Sequence, residues 1–258
     1  MKIAAISVSD RKGIRKKNVD SACLVEQFGI KGDAHGGKWH RQLSFLAQES
    51  IDTMREKGLD VVAGNFAENI TTTGIDLPNL SVGDHLRIGK TEIIISQLGK
   101  VCHHRCAIYH QAGDCVMPRE GIFGIVLKGG TIRLDDPIRI SDDHSRSGSI
   151  IGSATTETEL GDWLKQTMIG RLATAFVRFD RLNEEEDNLS TILTDLTDLQ
   201  RITHVLLYDP DDRHHPGLLG FQQQAGQPNR YTKNGTTLHH CRTVAETEQL
   251  QKTMQTDC

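Results

Sequence analysis

HLRIGKTEIIISQ, residues 85–97, decides the fold class. Apolar and polar residues alternate through His85–Ile88, and Thr91–Gln97 is a β-branched run centred on Ile93–Ile95, with Gly89-Lys90 between the two. A period of two turns one face of a strand toward a core, and a two-residue turn containing glycine joins antiparallel neighbours. The stretch therefore predicts a β-hairpin. Outward from it, Lys2–Val8, Ala22–Phe28 and Gln42–Leu46 read as strands, and Ile132–Leu134 and Ile138–Ile140 as two short closing strands. The clearest helix is Gln48–Lys57, where Ile51 and Met54 lie three apart and Gly58 supplies a stop. Many short strands with one or two helices predict a mainly β domain over residues 1–141, a closed or half-closed β-barrel with a few helices.

The texture changes near residue 145. SDDHSRSGS, residues 141–149, contains no apolar residue, and residues 142–152 are read as a linker. Residues 153–258 alternate instead between helix and strand. Glu159–Thr167 is helical in character, Ala173–Phe179 is a strand, Asn188–Leu199 is a helix capped by Asp187, and His204–Tyr208 is a strand. This βαβ-like pattern predicts a small three-layer α/β domain. The polar stretch after Phe221, QQQAGQPNRYTKNGTT, reads as loop or disorder.

Composition narrows the classes of function. The 258 residues are 37% hydrophobic and 25% charged, with a formal net charge of −4. A chain of that balance is an ordinary globular protein and lacks the clustered basic face of a nucleic-acid binder. The one basic run, RKGIRKK at residues 11–17, reads as a solvated loop. No segment approaches the ~20 apolar residues that span a bilayer, and the N-terminal apolar run is too short for a signal peptide. These features predict a cytoplasmic protein that contacts neither nucleic acid nor membrane, where thiols stay reduced and serve metals, catalysis or sulfur transfer.

The chemistry concentrates in KVCHHRCAIYHQAGDCVMPREGIFGIVL, residues 100–127. Three of the six cysteines, Cys102, Cys106 and Cys115, fall within it, with His103, His104 and His110 among them. Cys106 follows Arg105, whose cation favours the thiolate that attacks or ligates. Cys102, Cys106, Cys115 and one histidine would also make a tetrahedral zinc set, although the cysteines are separated by three and eight intervening residues and no second pair follows. A second constellation is GIKGDAHGGKWHRQLSFLAQESID, residues 29–52. Its glycines permit close approach to a ligand, around which Asp33, His35, His40 and Arg41 place acid, imidazole and guanidinium; a tight turn with solvated charges is the plainer reading. In GNFAENITTTGIDL, residues 64–77, Glu68 and Asn69 enter a threonine-rich strand and could simply cap and pair it.

Taken in order, GIKGDAHGG, RQLSFLAQESID, GNFAENITTTGIDL, VGDHLRIG, GKVCHHRCAI, GDCVMPREGIF and GGTIRLDDPI resemble the MOSC family, named for the C-terminal domain of molybdenum cofactor sulfurase. The resemblance covers roughly residues 1–140. It implies a β-barrel-like fold and a link to sulfur and molybdenum cofactor chemistry, with pyridoxal phosphate binding only at family level. It implies that Cys106 is the key position, as thiolate ligand to molybdenum or as bearer of a persulfide. Lys31, His35, Arg41, Glu68 and Asn69 lie in blocks implied to line the cofactor cleft, and Arg119 and Glu120 in a block that closes it. Cys102 and Cys115 resemble a cysteine-rich bacterial subgroup.

Residues 150–258 are more faintly similar to the molybdopterin-binding α/β domain of cofactor-assembly proteins. Where that family has a glycine-rich TTGGTG-type loop after a strand, this chain has Tyr208, Asp209, Pro210, Asp211, Asp212 and Arg213. Backbone amides cradle a phosphate, whereas three aspartates repel one, so the departure points to a degenerate scaffold or interaction module. Asp209, Asp211 and Asp212 with His214 and His215 could instead bind a hard or borderline cation. The expected function is a molybdenum-cofactor-associated protein that binds the cofactor or carries sulfane sulfur on Cys106, partnered by cofactor-assembly or sulfurating proteins. Two alternatives stand beside it: a molybdenum-dependent reductase of N-hydroxylated compounds, and a maturation chaperone that docks on a molybdoenzyme.

Overall fold

The computed structural model describes residues 1–37, 40–99, 107–144, 147–152, 173–178, 193–194, 197, 202–212 and 215–256. The chain divides into two compact units, Met1–Ser145 and Arg146–Cys258.

The first unit is mainly β and curls toward a barrel. Its strands are β1 (Lys2–Val8), β2 (Lys17–Val19), β3 (Ser21–Val25), β4 (Gly29–Ile30), β5 (Leu43–Ala47), β6 (Ile70–Thr73), β7 (Asp84–Ile88), β8 (Thr91–Leu98), β9 (Ile122–Lys128), β10 (Gly130–Arg133) and β11 (Ile138–His144). Eight of them form one sheet in the order β11-β7-β8-β9-β5-β6-β1-β2, and β10-β3-β4 form a second. The large sheet curls so that its β11 end approaches β1: Ile138 N donates to Met1 O at 3.1 Å and Ile3 N to Asp136 O at 3.0 Å, which ties β1 to the start of β11. The hairpin at residues 85–97 forms as expected, with Ile88 opposite Thr91.

β5 explains how the unit is layered. Every residue of LSFLA is buried. Leu43, Phe45 and Ala47 join the barrel interior with Ile3, Ile70 and Ile95, while Leu46 points to a second apolar cluster. That second cluster lies between the sheet and three helices, α1 (Gln48–Glu56), α2 (Ala107–Ala112) and α3 (Met117–Glu120), through Ile51, Met54, Ile108 and Met117. A strand covered on both faces must be apolar throughout, as this one nearly is.

The second unit has a six-stranded sheet of order β13-β12-β14-β17-β16-β15. Its members are β12 (Ser147–Gly152), β13 (Ala173–Arg178), β14 (His204–Tyr208), β15 (Gln222–Gln223), β16 (Arg230–Lys233) and β17 (Thr236–Cys241), followed by helix α4 (Val244–Thr256). β13, β12, β14 and β17 run parallel, and β16 and β15 are antiparallel additions.

Two expectations are corrected. The stretch after Phe221 is not loop throughout: it supplies β15, β16 and the start of β17, joined by turns. Asn234-Gly235 turns the chain back with φ of 49° and 82°, so that Lys233 pairs Thr236. Tyr231, Leu238 and Cys241 are the buried anchors of this hairpin and its parallel neighbour. The polar stretch 142–152, read as a linker, is largely strand, because β11 extends to His144 and β12 begins at Ser147; backbone pairing does not require apolar side chains. The expected helices Glu159–Thr167 and Asn188–Leu199 lie outside the described residues except for Leu193, Thr194 and Thr197.

Candidate functional site

The loop that follows β4 is organised around one carboxylate. Asp33 is 6% exposed, and its Oδ2 accepts from Lys16 Nζ at 2.8 Å, Ser9 N at 3.1 Å and Asn69 Nδ2 at 3.1 Å. Its Oδ1 accepts from His35 N at 2.8 Å. Burial alone would raise the Asp33 carboxyl, but the hydrogen bonds from His35 and Lys16 and the Lys16 charge hold it well below the usual carboxylate range. The plainer reading of this loop, a turn with solvated charges, is therefore wrong. Lys16 is likewise no part of a solvated basic loop: its side chain is 1% exposed.

Asn69 and Glu68 extend the same scaffold from the start of β6. Asn69 Oδ1 accepts from Ser44 N and Ser44 Oγ, and its Nδ2 also reaches Ser7 O at 3.2 Å. Glu68 is fully buried, accepting from Gly64 N, Phe66 N and Thr71 Oγ1; burial raises its carboxyl against those bonds. Both are closed into the loop scaffold, with 0% and 2% exposure for Glu68 and Asn69, so neither presents a surface to a ligand in this arrangement. His35 lies at the rim of the cluster, its side chain 27% exposed.

A second set of polar residues holds the root of the cysteine segment. Arg41 Nε and His40 Nε2 both lie 3.0 Å from Gln97 Oε1, and Gln97 Nε2 donates to Gly99 O at 2.7 Å. Ser96 Oγ donates to His40 O, and the Arg41 guanidinium stands 5.5 Å from the Phe123 ring centre. Burial, then the Arg41 charge, lowers the His40 imidazole to about 4, so it is neutral near pH 7. Gly99 is fixed as well: its N donates to Gly121 O at 2.7 Å, and at φ +60° it packs directly against the Pro118 carbonyl. Thus the block at residues 40–41 and the end of β8 are tied together where the chain leads into residues 100–106.

Cys102, Arg105 and Cys106, with His103 and His104, lie outside the described residues. Cys106 immediately precedes α2 in sequence. Cys115 is 8% exposed within the apolar cluster of Leu46, Met54 and Met117, the setting of a small hydrophobe. Arg119 is gripped by Asp114, with Nη1 and Nη2 at 2.7 and 3.1 Å from its two oxygens, and Lys57 reaches the same carboxylate at 2.7 Å. Glu120 is half-buried beside it, and Lys31 is exposed. Sequence reasoning missed Lys16, Gln97 and Asp114. Only Lys16 left a trace, as part of the basic run.

In the second unit the aspartate-rich turn is partly gathered. Asp209 and Asp212 converge with His240, which sequence reasoning did not name, while Asp211 is exposed. His214 lies outside the described residues, and His215 Nδ1 accepts from Gly217 N at 3.1 Å.

Residues 31–139 match the family profile of the MOSC domain. Similar solved structures include YiiM from Escherichia coli, 23% identical over 56% of this chain and 72% of that chain, with a TM-score of 0.42. YiiM from Geobacillus stearothermophilus is 19% identical over 55% of this chain and 75% of its own, with a TM-score of 0.43. The YUAD protein from Bacillus subtilis is 18% identical over 53% and 93%, with a TM-score of 0.47. No protein of curated function matches the chain.

Proposed function

From the premise that the first unit carries a MOSC domain, associated at family level with the molybdenum cofactor, we propose that Cys106 is the working thiol of a cofactor- or sulfur-handling site. The observation that supports this most is the clamp on Gln97. It holds a guanidinium and a neutral imidazole against the end of β8, one residue before the segment that carries Cys102, Arg105 and Cys106.

The residues fit an anionic, thiol-ligated group in their chemistry. Arginine presents a planar cation suited to a phosphate, and cysteine presents a soft donor suited to molybdenum. When bound, the cofactor would supply a metal centre that accepts a sulfur ligand. The chain's own contributions are separate from that chemistry. Arg105, next to Cys106 in sequence, favours the thiolate over the thiol. His40, neutral at pH 7, adds no competing charge. The Asp33 cluster fixes the loop of residues 29–37 to Ser9, Lys16 and Asn69.

The test is elemental molybdenum and cyanide-releasable sulfur in protein purified from a host that makes the cofactor. Wild type should carry one or the other near stoichiometrically, Cys106→Ala should lose it, and Arg41→Ala should reduce it. Wild type that carries neither, or a Cys106→Ala variant that keeps both unchanged, overturns the reading.

A further inference from the structure

We propose that Asp209, Asp212 and His240 form a binding site for a borderline divalent cation in the second unit. The fold builds the site at the carboxyl ends of two adjacent parallel strands, where open α/β sheets bind their ligands. β14 and β17 pair with Leu207 opposite His240 and Tyr208 opposite Cys241. Asp209 follows β14 directly and its N donates to Cys241 O at 2.9 Å, which fixes its place beside β17. The chain then turns tightly: Asp212 N donates to Asp209 O at 3.1 Å, and Asp212 sits at φ 54°. That left-handed residue brings the second carboxylate back toward the first.

His240 makes this more than an acidic turn. It is fully buried, and neither of its ring nitrogens has a hydrogen-bond partner among the described residues. Burying an imidazole that way is costly unless something else satisfies it. Its Nε2 lies 3.7 Å from Asp209 Oδ2 and 3.7 Å from Asp212 Oδ1. Those separations are too long for hydrogen bonds. They match donor atoms that share one ion: ligands about 2.1 Å from a tetrahedral metal stand roughly 3.4 Å apart.

The surrounding groups set the terms of binding. Arg242 Nη2 lies 3.0 Å from Asp212 Oδ1, and its Nη1 donates to Asn229 Oδ1 at 3.1 Å. This guanidinium neutralises one carboxylate and must yield part of it to an ion. Asp209 is 3% exposed at its side chain, whereas Asp212 is 52% exposed, so water can complete the coordination from that side. One imidazole with two carboxylates suits zinc or manganese(II), is poor for calcium, which takes oxygen ligands, and is unlike the thiol-rich set at residues 102–115.

The experiment uses the full chain after chelation and Mn2+ as probe, because manganese discriminates against thiolates. Free Mn2+ is counted by electron paramagnetic resonance. One ion per chain is expected, with binding weakened about tenfold or more in His240→Gln and Asp212→Asn, and unchanged in Asp211→Asn and Cys106→Ala. Asp212→Asn alters a half-exposed side chain, so the result does not depend on a buried variant folding. Absence of binding by wild type, or equal binding by Asp212→Asn, overturns the proposal.

Discussion

Asp33→Asn is expected to destabilise the first unit by about 3–5 kcal/mol, the range for removing one partner of a buried ion pair. Every group around this carboxylate is a donor: Lys16 Nζ, Ser9 N and Asn69 Nδ2 on one oxygen, His35 N on the other. An asparagine keeps the shape but has only one acceptor oxygen. Turned toward the three donors, it sets its own NH2 against His35 N and leaves the Lys16 ammonium buried without its hydrogen-bonded countercharge. Lys16→Met removes that ammonium and leaves Asp33 its three uncharged donors, so it should cost less than Asp33→Asn. In the double variant the buried ammonium is gone, and the two changes should fall short of additivity by about 2 kcal/mol, inside the ~0.5–3 kcal/mol seen for residues in one network. Urea unfolding with amide exchange read in β1, β5 and β6 reports on the first unit separately. Lys12→Met, at an exposed position of the same basic run, should stay within about 0.5 kcal/mol. If Asp33→Asn costs under about 1 kcal/mol, or the two changes add without coupling, the cluster is not the organising centre of this loop.

Acid should destabilise both units through one buried histidine in each. His40 and His239 are lowered from 6.5 to about 4 by burial and by neighbouring charge from Arg41 and His204 respectively. Between those values the unfolded chain takes up a proton that the folded chain refuses, so stability rises with pH across the window and falls on acidification. The slope is at most about 1.4 kcal/mol per pH unit for each histidine. Thermal unfolding from pH 6.5 to 4.5 should show it, His40→Gln should flatten the response of the first unit, and a level profile in wild type would contradict the burial. Gly99→Ala and Gly235→Ala share a positive φ, 60° and 82°, but differ in space: a methyl at Gly99 runs into the Pro118 carbonyl, and at Gly235 nothing lies within 4 Å. Gly235→Ala should cost the backbone penalty alone, about 1–2 kcal/mol, and Gly99→Ala clearly more; equal costs by urea unfolding would refute the close packing at the root of the cysteine segment.

What the sequence made legible follows the range of the forces involved. β1 and β14 fall on the bounds read from their apolar runs, and the hairpin at residues 85–97 within a residue of them, because alternation and turn chemistry are local. β2 and β4, three and two residues long, carry no periodicity to read. The hairpin of β16 and β17 had a local signal, Asn234-Gly235, but its flanks are mostly polar, and its buried positions include Thr236 and His240 beside Tyr231, Leu238 and Cys241. At the candidate site, the blocks holding Asp33, His35 and Arg41 stood out by residue type. Whether a lysine in a basic run is solvated or buried is decided by Asp33, 17 residues further on, and no local pattern encodes that.

The two buried charge clusters differ in a way that separates scaffold from site. Asp33 has a donor for each oxygen and a paired ammonium, so folding leaves it nothing to bind. Glu68 and Asn69 are satisfied in the same manner, which makes them poor ligands however well their residue types suit a cofactor. His240 is buried as deeply, yet neither ring nitrogen has a hydrogen-bond partner among the described residues, and two carboxylate oxygens stand at 3.7 Å. A buried polar group that is fully hydrogen-bonded stabilises one structure; one left unsatisfied is a standing free-energy cost that a ligand can remove. Residue type alone favoured the first cluster as the binding site and passed over His240 altogether. Hydrogen-bond satisfaction assigns the first to architecture and leaves capacity for a ligand at the second. It moves the search for the proposed cofactor-handling groups of the first unit to Arg41, Gln97 and the segment that begins beyond Gly99.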